Sequence, residues 1–462
     1  MTSAEEEPLL TEKGEESHAA PSRGPNGEVT DIDEAVDLAG VGWFTVYVAT
    51  VAGMGFLADA AEVVILSFLY DCLVDYWDLS TSTGDLIVSC VFVGEMVGAL
   101  IAGPLADKYG RRLVSISSMF IISAGGLASA AASDVLIFIL LRSFVGVGIG
   151  CFVIPFDLCA EMTPRPWRGF VLTAVNFWWG LGSLFCVWAA WVVLGSGGSW
   201  RMLCVICAIP CFLNFLCMTF LPESPRWLLA RGRVEEAEKT IKLMARWNGV
   251  EMPPLSLKPV SLADETASVS EVLATPARRK KFGLLGVAWC GMGFCFYGTS
   301  FMLTRVYATT DDDETCSFDY GFLFAIYTSE FWGILYLLYQ IDAMGRPLSN
   351  ITNYCASAVF VLLLGTSSSN ISSLAFGYGA LLTVNAAATA TWVMTPELFD
   401  TKVRSTVHAM LTAASRVAAF FSSYWVDSSV GIFEVGLLLA VVNVVAGVAA
   451  FNLPDTRDAK LR

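Results

Sequence analysis

A short polar turn, Gly103-Pro-Leu-Ala-Asp107-Lys-Tyr-Gly110-Arg111-Arg112, separates two long apolar segments of the chain. Its acidic residue, its second glycine and the arginine after it recur with the same spacing about 235 residues later, as Asp342, Gly345 and Arg346. A repeated turn of this kind indicates that one structural unit occurs twice, and such repeats have to be found before single elements are assigned.

A second charged pair repeats with the turn. Glu161 and Arg168 follow a later apolar segment, and Glu397 and Arg404 stand about 236 residues further along. Because both clusters keep nearly the same offset, the duplication spans several helices rather than one turn.

The composition is that of a membrane protein. The chain has 462 residues, of which 55% are hydrophobic and 15% charged, and its mean hydropathy is +0.61. Soluble domains carry roughly 25% charged residues. The net charge of −15 gives no sign of nucleic-acid binding. Two His and 13 Cys do not suggest a metal enzyme, and we expect neither catalysis nor a cofactor.

Apolar segments predict the fold. A helix needs about 20 apolar residues to cross the bilayer core. Twelve segments meet this rule: 43–70, 84–106, 112–132, 135–157, 169–194, 199–221, 282–304, 319–341, 348–367, 372–395, 405–426 and 430–452. The sequence therefore predicts an all-α membrane protein with two pseudo-symmetric six-helix bundles. The predicted parts are a disordered acidic tail (1–40), the first bundle (41–221), a linker (222–281), the second bundle (282–453) and a short tail (454–462).

Basic residues set the orientation. With both termini in the cytoplasm, the tails and the loops after spans 2, 4, 6, 8 and 10 hold most of the 28 Lys and Arg residues, as the positive-inside rule requires. We expect a multi-pass protein of the plasma membrane or of an endolysosomal or vesicle membrane. Cys72 and Cys316 fall in loops on the other side, and the sequence leaves open whether they form a disulfide.

The two polar regions carry weaker signals. In the linker, Val234, Ala237, Ile241 and Met244 share one face, which predicts an amphipathic helix over 232–247 on the cytoplasmic surface. In the first tail, Glu5, Leu9 and Leu10 resemble an acidic di-leucine signal for sorting adaptors. The alternative is a tail that is acidic for no such reason.

The repeated turns resemble a known superfamily. Gly103–Arg112 is similar to the signature between helices 2 and 3 of the major facilitator superfamily, and Asp342-Ala-Met-Gly-Arg346 to its second copy. Segments 161–169, 222–229 and 396–404 resemble further motifs of its sugar-porter and organic-ion branches. The resemblance implies a transporter that works by alternating access.

The branch is suggested by two other segments. Ala58-Asp-Ala-Ala-Glu62 in span 1 and Phe296-Tyr-Gly298 in span 7 resemble synaptic-vesicle-2-like and SVOP-like proteins, with bacterial niacin transporters nearby. Span 7 lacks the paired glutamines of sugar porters, which argues against a hexose. The second turn has one arginine before Pro347, which implies a weaker grip on its neighbours.

The resemblance also implies a role for the charged turns. They are expected to hold the cytoplasmic side shut in the outward-open state, with Arg111 and Arg112 reaching Glu161, and Glu161 reaching Arg168. Gly103 is expected to permit close helix packing and Gly110 a sharp turn. The complete gating set is Gly103, Asp107, Gly110, Arg111, Arg112, Glu161, Arg168, Asp342, Gly345, Arg346, Glu397 and Arg404. The simpler alternative is that these residues only anchor the topology of the protein through their positive charge.

Charges within the spans are candidates for substrate or proton binding. A charge at mid-bilayer costs about 2.5–3.5 kcal/mol on insertion scales, so it tends to be kept for function. The candidates are Asp59, Glu62, Glu95, Arg142, Glu330 and Arg416, with the aromatic residues Trp178, Trp179 and Tyr297 for stacking on a flat substrate. Asp59 and Glu62 share a helix face; the alternative is that both pair with Arg142 and only join helices.

Three functions remain open at this point. The first is secondary active or facilitative transport of a small organic ion, with protons as a candidate coupling ion in a symporter. The second is a vesicle or receptor protein of the same fold that does not transport. The third is a sugar porter.

Overall fold

A computed structural model describes residues 29–258, 269–309, 316–399, 401–426 and 429–455, without the side chains at 269, 270, 342, 401, 402, 404 and 405. The sorting signal at Glu5, Leu9 and Leu10 and the side chains of Asp342 and Arg404 lie outside this description. The elements of the first half are α1 (Ile32–Leu38), α2 (Trp43–Trp77), α3 (Thr81–Tyr109), α4 (Arg111–Ala130), α5 (Val135–Gly150), α6 (Val153–Glu161), α7 (Arg165–Val193) and α8 (Trp200–Thr219).

The linker and the second half continue the series. The linker holds α9 (Pro225–Ala230), α10 (Val234–Asn248) and α11 (Val269–Val272). The second half consists of α12 (Pro276–Val306), β1 (Ala308–Thr309), β2 (Ser317–Phe318), α13 (Tyr320–Tyr327), α14 (Ser329–Met344), α15 (Arg346–Gly365), α16 (Asn370–Glu397), α17 (Thr401–Trp425) and α18 (Ile432–Phe451). β1 and β2 pair antiparallel.

Eleven helical segments of the described chain are long and apolar enough to cross a membrane. Two of them, Val135–Glu161 and Tyr320–Ile341, are each broken into two helices. The predicted eleventh span, α17, is not among these segments; it carries Arg416 and several Ser and Thr residues along its length. It nevertheless packs along α12 and α3 within the bundle.

The repeated turns have the same backbone in both copies. Gly110 separates α3 from α4 with φ +105°, and Gly345 separates α14 from α15 with φ +83°. This region of φ is open to glycine and strained for other residues. The sharp turns expected between spans 2 and 3 and between spans 8 and 9 are therefore present.

Close packing of α3 depends on other glycines than the one expected. A Cβ at Gly94 or Gly98 would collide with carbonyl oxygens of α5, and a Cβ at Gly146 or Gly150 with those of α3. By contrast, no described atom lies within 4 Å of the position of a Cβ at Gly103. The packing role expected of Gly103 is wrong, because this glycine points away from the α5 contact.

We use two names for the ends of the bundle. The motif face carries the Gly103–Arg112 turn and the linker, and the disulfide face carries the bond between Cys72 and Cys316. The linker helix α10 lies on the motif face, where Ala237, Ile241 and Met244 are buried as predicted.

The ordered chain begins earlier than residue 41. Residue Val29 bridges to Leu255, and Asp33 forms an ion pair with Arg226. Asp37 pairs with Arg165 at 2.7 Å. Residues 29–40 are thus bound to the first half and the linker, so the predicted disordered tail extends too far. The second half likewise begins before residue 282, at the start of α12.

Candidate functional site

A cavity lies between the two halves. The volume open to the centres of water molecules is about 100 Å³. One water needs about 10–15 Å³ on this measure, so the cavity is large enough for several. Its polar lining consists of Asp59, Asn176, Tyr297, Asn385, Thr389, Thr412, Ser415 and Arg416. Both halves contribute to the wall, which is the arrangement that binding at a repeat interface requires.

Arg416 is the only cation among the described lining residues. Its Nε lies 2.7 Å from Oε2 of Glu95, although the N–H is not aligned for a hydrogen bond. Its Nη1 donates to the Tyr297 hydroxyl. Because Glu95 belongs to α3 and Arg416 to α17, this ion pair joins the two halves at the cavity wall.

Asp59 faces the same cavity from α2. It is 4% exposed, and its Oδ1 has no hydrogen-bond partner among the described residues. Arg416 acts electrostatically on both Asp59 and Glu95. Two carboxyl groups therefore share one positive partner, which leaves room in the charge balance for a cation or a proton.

Glu62 and Arg142 form a separate pair inside the first half. Arg142 Nη1 lies 2.5 Å from Oε2 of Glu62, and both side chains are almost inaccessible. Nη2 of the same arginine donates to Sγ of Cys204 at 3.3 Å. Neither partner lines the cavity. Asp59 and Glu62 are only about 60° apart around α2, yet Asp59 faces the cavity whereas Glu62 contacts Arg142.

Glu330 lies at a contact between the halves. It is 1% exposed and sits against Gly180 of α7. Ser183 is close enough to interact with its carboxylate, but the serine hydroxyl donates to the Trp179 carbonyl. Neither carboxylate oxygen of Glu330 has a hydrogen-bond partner among the described residues. Glu330 is not one of the residues that line the cavity.

The aromatic wall differs partly from the prediction. Trp179 and Tyr297 line the cavity, whereas Trp178 packs its indole against Gly53 of α2. Trp178 therefore joins helices rather than forming the cavity wall. Trp289 and Trp392 also line the cavity, although neither was predicted as a site residue. They stand in apolar spans, where a tryptophan gives no signal that separates lining from packing.

The first charged turn forms a network within the first half. Arg111 lies 2.8 Å from Asp107 and 3.4 Å from Glu161. Two expected contacts are wrong. Arg112 donates to the Thr219 carbonyl at 2.6 Å, and Arg168 donates to the Thr163 carbonyl at 3.3 Å.

The reason is that the linker occupies the remaining acceptors. The Ser224 hydroxyl donates to Oε2 of Glu161, and the indole of Trp227 donates to the Asp107 carbonyl at 2.9 Å. Glu223 accepts from the backbone N–H of Arg112 at 3.1 Å. Burial raises the pKa of Glu223, and its backbone hydrogen bonds oppose that shift.

The second charged turn also contains an ion pair. Arg346 contacts Glu397 through Nε and Nη2, both at 3.0 Å. Its backbone N–H donates to Asp455 at 3.4 Å. Asp455 follows span 12 as Glu223 follows span 6, so an acid caps the first turn of α15 as one caps α4.

Groups of three or more His, Cys, Asp or Glu that could hold a metal are not found among the described residues. The chemistry of the cavity is that of binding: charges of both signs, amides, hydroxyls and aromatic faces, with no nucleophile paired to a base in the described part of the wall.

The fold and cavity are those of a membrane transporter of the major facilitator superfamily. A family model described as "Sugar (and other) transporter" matches residues 39–461. The chain therefore belongs to this family, whose members are transporters and not enzymes.

Curated relatives cover most of the chain. Organic cation/carnitine transporter 7 of Arabidopsis thaliana is 28% identical over 84% of this chain and 86% of its own length. A synaptic vesicle 2-related protein of Xenopus laevis is 29% identical over 93% and 82%. The niacin transporter NiaP of Acinetobacter baylyi is 26% identical over 71% and 75%. The predicted resemblance is confirmed.

Solved structures confirm the predicted fold. The inward-open xylose transporter XylE from E. coli superimposes with a TM-score of 0.71 and covers 90% of this chain and 98% of its own. The sequence identity is 17%, so this likeness speaks for the fold alone. A multi-pass membrane protein with the twelve-helix architecture is thereby established.

Proposed function

We propose that the protein moves a small organic ion across the membrane by alternating access, with the cavity around Arg416 as its substrate site. The observation that carries this proposal is the Glu95–Arg416 ion pair, a charge contact between the halves in which Glu95 is inaccessible and the Arg416 side chain is 12% exposed at the cavity wall. A static scaffold gains little from burying such charges, because desolvation offsets their attraction.

The charge balance of the wall defines the ligand. Asp59 and Glu95 both face Arg416, so a cationic group of the substrate or a proton completes the set. A carboxylate on the substrate finds Arg416 and Tyr297. The rings of Trp179, Trp289 and Trp392 offer faces for a flat or quaternary ammonium group. Relatives named for organic cations, carnitine and niacin support an organic ion over a hexose.

Acidic residues within the spans are the proposed proton-binding groups. Asp59 binds either a proton or the substrate's cationic group, and Glu62 with Arg142 forms a second site that changes its charge only if the pair opens. Glu330 is a third acid, at the contact between α7 and α14. On this proposal, the proton is the coupling ion of the transporter.

Gating is assigned to the charged turns. The Asp107–Arg111–Glu161 network and the Arg346–Glu397 pair hold the helix ends of each half rigid at the motif face, so that each half rocks as a unit. The distribution of Lys and Arg supports a cytoplasmic position for this face, both termini and the linker. The vesicle-protein relatives favour a vesicle or endolysosomal membrane, to which adaptors would direct the protein through Glu5, Leu9 and Leu10.

The test is uptake into proteoliposomes with a panel of organic cations, aromatic carboxylates, zwitterions and hexoses, with and without a pH gradient. We expect saturable uptake of one class of organic ion and at least a tenfold loss in Arg416→Gln. Arg233→Gln, which removes an exposed pair on the linker, is the matched control. Hexose uptake alone would make the protein a sugar porter; binding without uptake would make it a receptor.

A further inference from the structure

We infer that Cys72 and Cys316 form a thiol–disulfide exchange site that controls whether the cavity can open toward the disulfide face. The pair is bonded, with its Cα atoms 4.6 Å apart and 244 residues between them. Cys72 belongs to α2 of the first half, and Cys316 precedes β2 of the second. The bond is thus a covalent link between the two halves.

The link lies over a closed end of the molecule. Close to it, the ring of Phe68 packs against Phe318 at 5.2 Å and against Tyr320 at 6.3 Å between centroids. On α2, the cavity wall reaches no further than Asp59. Thirteen residues of helix separate Asp59 from Cys72, which is about 20 Å. The contacts of Phe68 with the second half and the bond both lie within this stretch.

The bond restricts the motion that alternating access needs. A disulfide holds its two Cα atoms within about 7 Å. To admit a ligand from the disulfide face, α2 and the hairpin before α13 must move apart at this very point. While the bond is intact, the cavity can therefore open only toward the motif face. This step rests on the proposed alternating access; the bond between the halves does not.

The site takes a dithiol reductant as its co-reactant. Cys316 is half-buried, whereas Cys72 is 4% exposed, so a thiolate reaches Sγ of Cys316 first. Its attack forms a mixed disulfide and releases Cys72, which takes up a proton. The second thiol of the reductant then closes a cyclic disulfide and releases Cys316 as a thiol. The protein gains two electrons and two protons, and the dithiol loses them.

The covalent link is tested without any substrate. A protease site is inserted between residues 258 and 269, and the purified full-length protein is cleaved there. On a non-reducing denaturing gel the halves should stay together, and they should separate after reduction. The Cys72→Ser/Cys316→Ser variant should separate without reductant. Separation of the unreduced parent chain would overturn the assignment.

Opening is tested with a reporter that needs no transport. Ser300 lies on α12 one turn beyond Tyr297 toward the disulfide face and is 4% exposed. We expect Ser300→Cys to react with a membrane-impermeant maleimide at least tenfold faster when Cys72→Ser/Cys316→Ser is present, measured by mass spectrometry on the peptide that contains residue 300. Brief reduction of the Ser300→Cys variant that retains Cys72 and Cys316 should raise the rate of the maleimide reaction by the same factor. Equal rates in all three states would overturn the control of opening, whatever the uptake assay shows.

Discussion

At the scale of single residues, Glu62 and Arg142 offer a stability prediction. Both are buried, and each is the other's charge partner. Removing one partner leaves an uncompensated buried charge, which costs about 3–5 kcal/mol. Glu62→Gln is expected to lower the free energy of unfolding by about that amount, measured as chemical denaturation in detergent.

The control for this prediction is a second acid on the same helix. Asp59 forms no ion pair within the described contacts, although Arg416 acts on it electrostatically, so Asp59→Asn should lower the free energy of unfolding by clearly less than Glu62→Gln does. Glu62→Met combined with Arg142→Met should recover most of the loss, since apolar residues replace the pair. Equal destabilisation by Glu62→Gln and Asp59→Asn would contradict the separation of the two sites.

A further residue-scale prediction concerns pH. Asp59 is proposed to bind either a proton or a cationic group, so protons compete with a cationic substrate. The apparent Kd of such a substrate should rise as the pH falls, and Asp59→Asn should remove that dependence. Quenching of the tryptophans around the cavity is the readout. Binding of a cation that tightens in acid would contradict the competition.

The individual charges of the site could be predicted, but not their pairing. A charge in an apolar span is rare enough to select Asp59, Glu95 and Arg416 from the sequence. Which acid faces which base depends on how each helix is rotated about its axis, and no local pattern records that. From the sequence, Asp59 and Glu62 were expected to act together. In the structure, Asp59 faces the cavity, whereas Glu62 pairs with Arg142 in the interior of the first half.

At the scale of helices, the contact between α3 and α5 gives a matched pair of substitutions. A Cβ at Gly98 would collide with the Val147 carbonyl, whereas one at Gly103 would meet open space. Gly98→Ala should destabilise the protein by about 1–3 kcal/mol, the cost of overpacking, and Gly103→Ala should be tolerated. Melting temperatures of the purified variants measure both. A larger effect at Gly103 would contradict the packing described for α3.

Helix positions could be predicted more closely than helix breaks. The twelve apolar segments overlap the observed spans because bilayer thickness fixes their length. The break at residues 151–152 falls inside a continuous apolar run, whereas the break at Thr328 is followed by the polar residues Ser329 and Glu330. Local hydropathy does not change at the first break, and a few polar residues within a long apolar span do not by themselves predict a break at the second, so spans 4 and 8 were each predicted as one helix.

At the scale of the whole molecule, the motif-face network predicts a loss of transport without a loss of protein. Asp107 holds Arg111 at 2.8 Å, and its carbonyl accepts from Trp227 of the linker. Asp107→Asn weakens the first contact and leaves the backbone contact in place. Uptake should fall at least tenfold, while the amount of protein in the membrane stays the same by immunoblot.

A surface acid provides the comparison for this experiment. Glu236 pairs with Arg233 on an exposed side of α10, and such exposed pairs add little to stability. Glu236→Gln should transport as the parent does. Normal turnover in Asp107→Asn would remove the gating role and leave the turn with its effect on topology.

The duplication is most informative where its copies differ. The first turn is covered by the linker through Ser224 and Trp227, whereas the second has a two-contact pair between Arg346 and Glu397. The expectation of a weaker second grip stays a prediction, because the side chains of Asp342 and Arg404 lie outside the described residues.

The N-terminal segment also constrains the order in which the chain matures. Residues 29–40 leave the ribosome before the residues that bind them, which include Arg165, Arg226, Asn248 and residues 254–258. These partners are synthesised only after most or all of the first six spans. The segment must therefore wait, unattached, through the insertion of that half. Its docking marks the completion of the first bundle, and a tag fused close to residue 29 would disturb biogenesis before it disturbed transport.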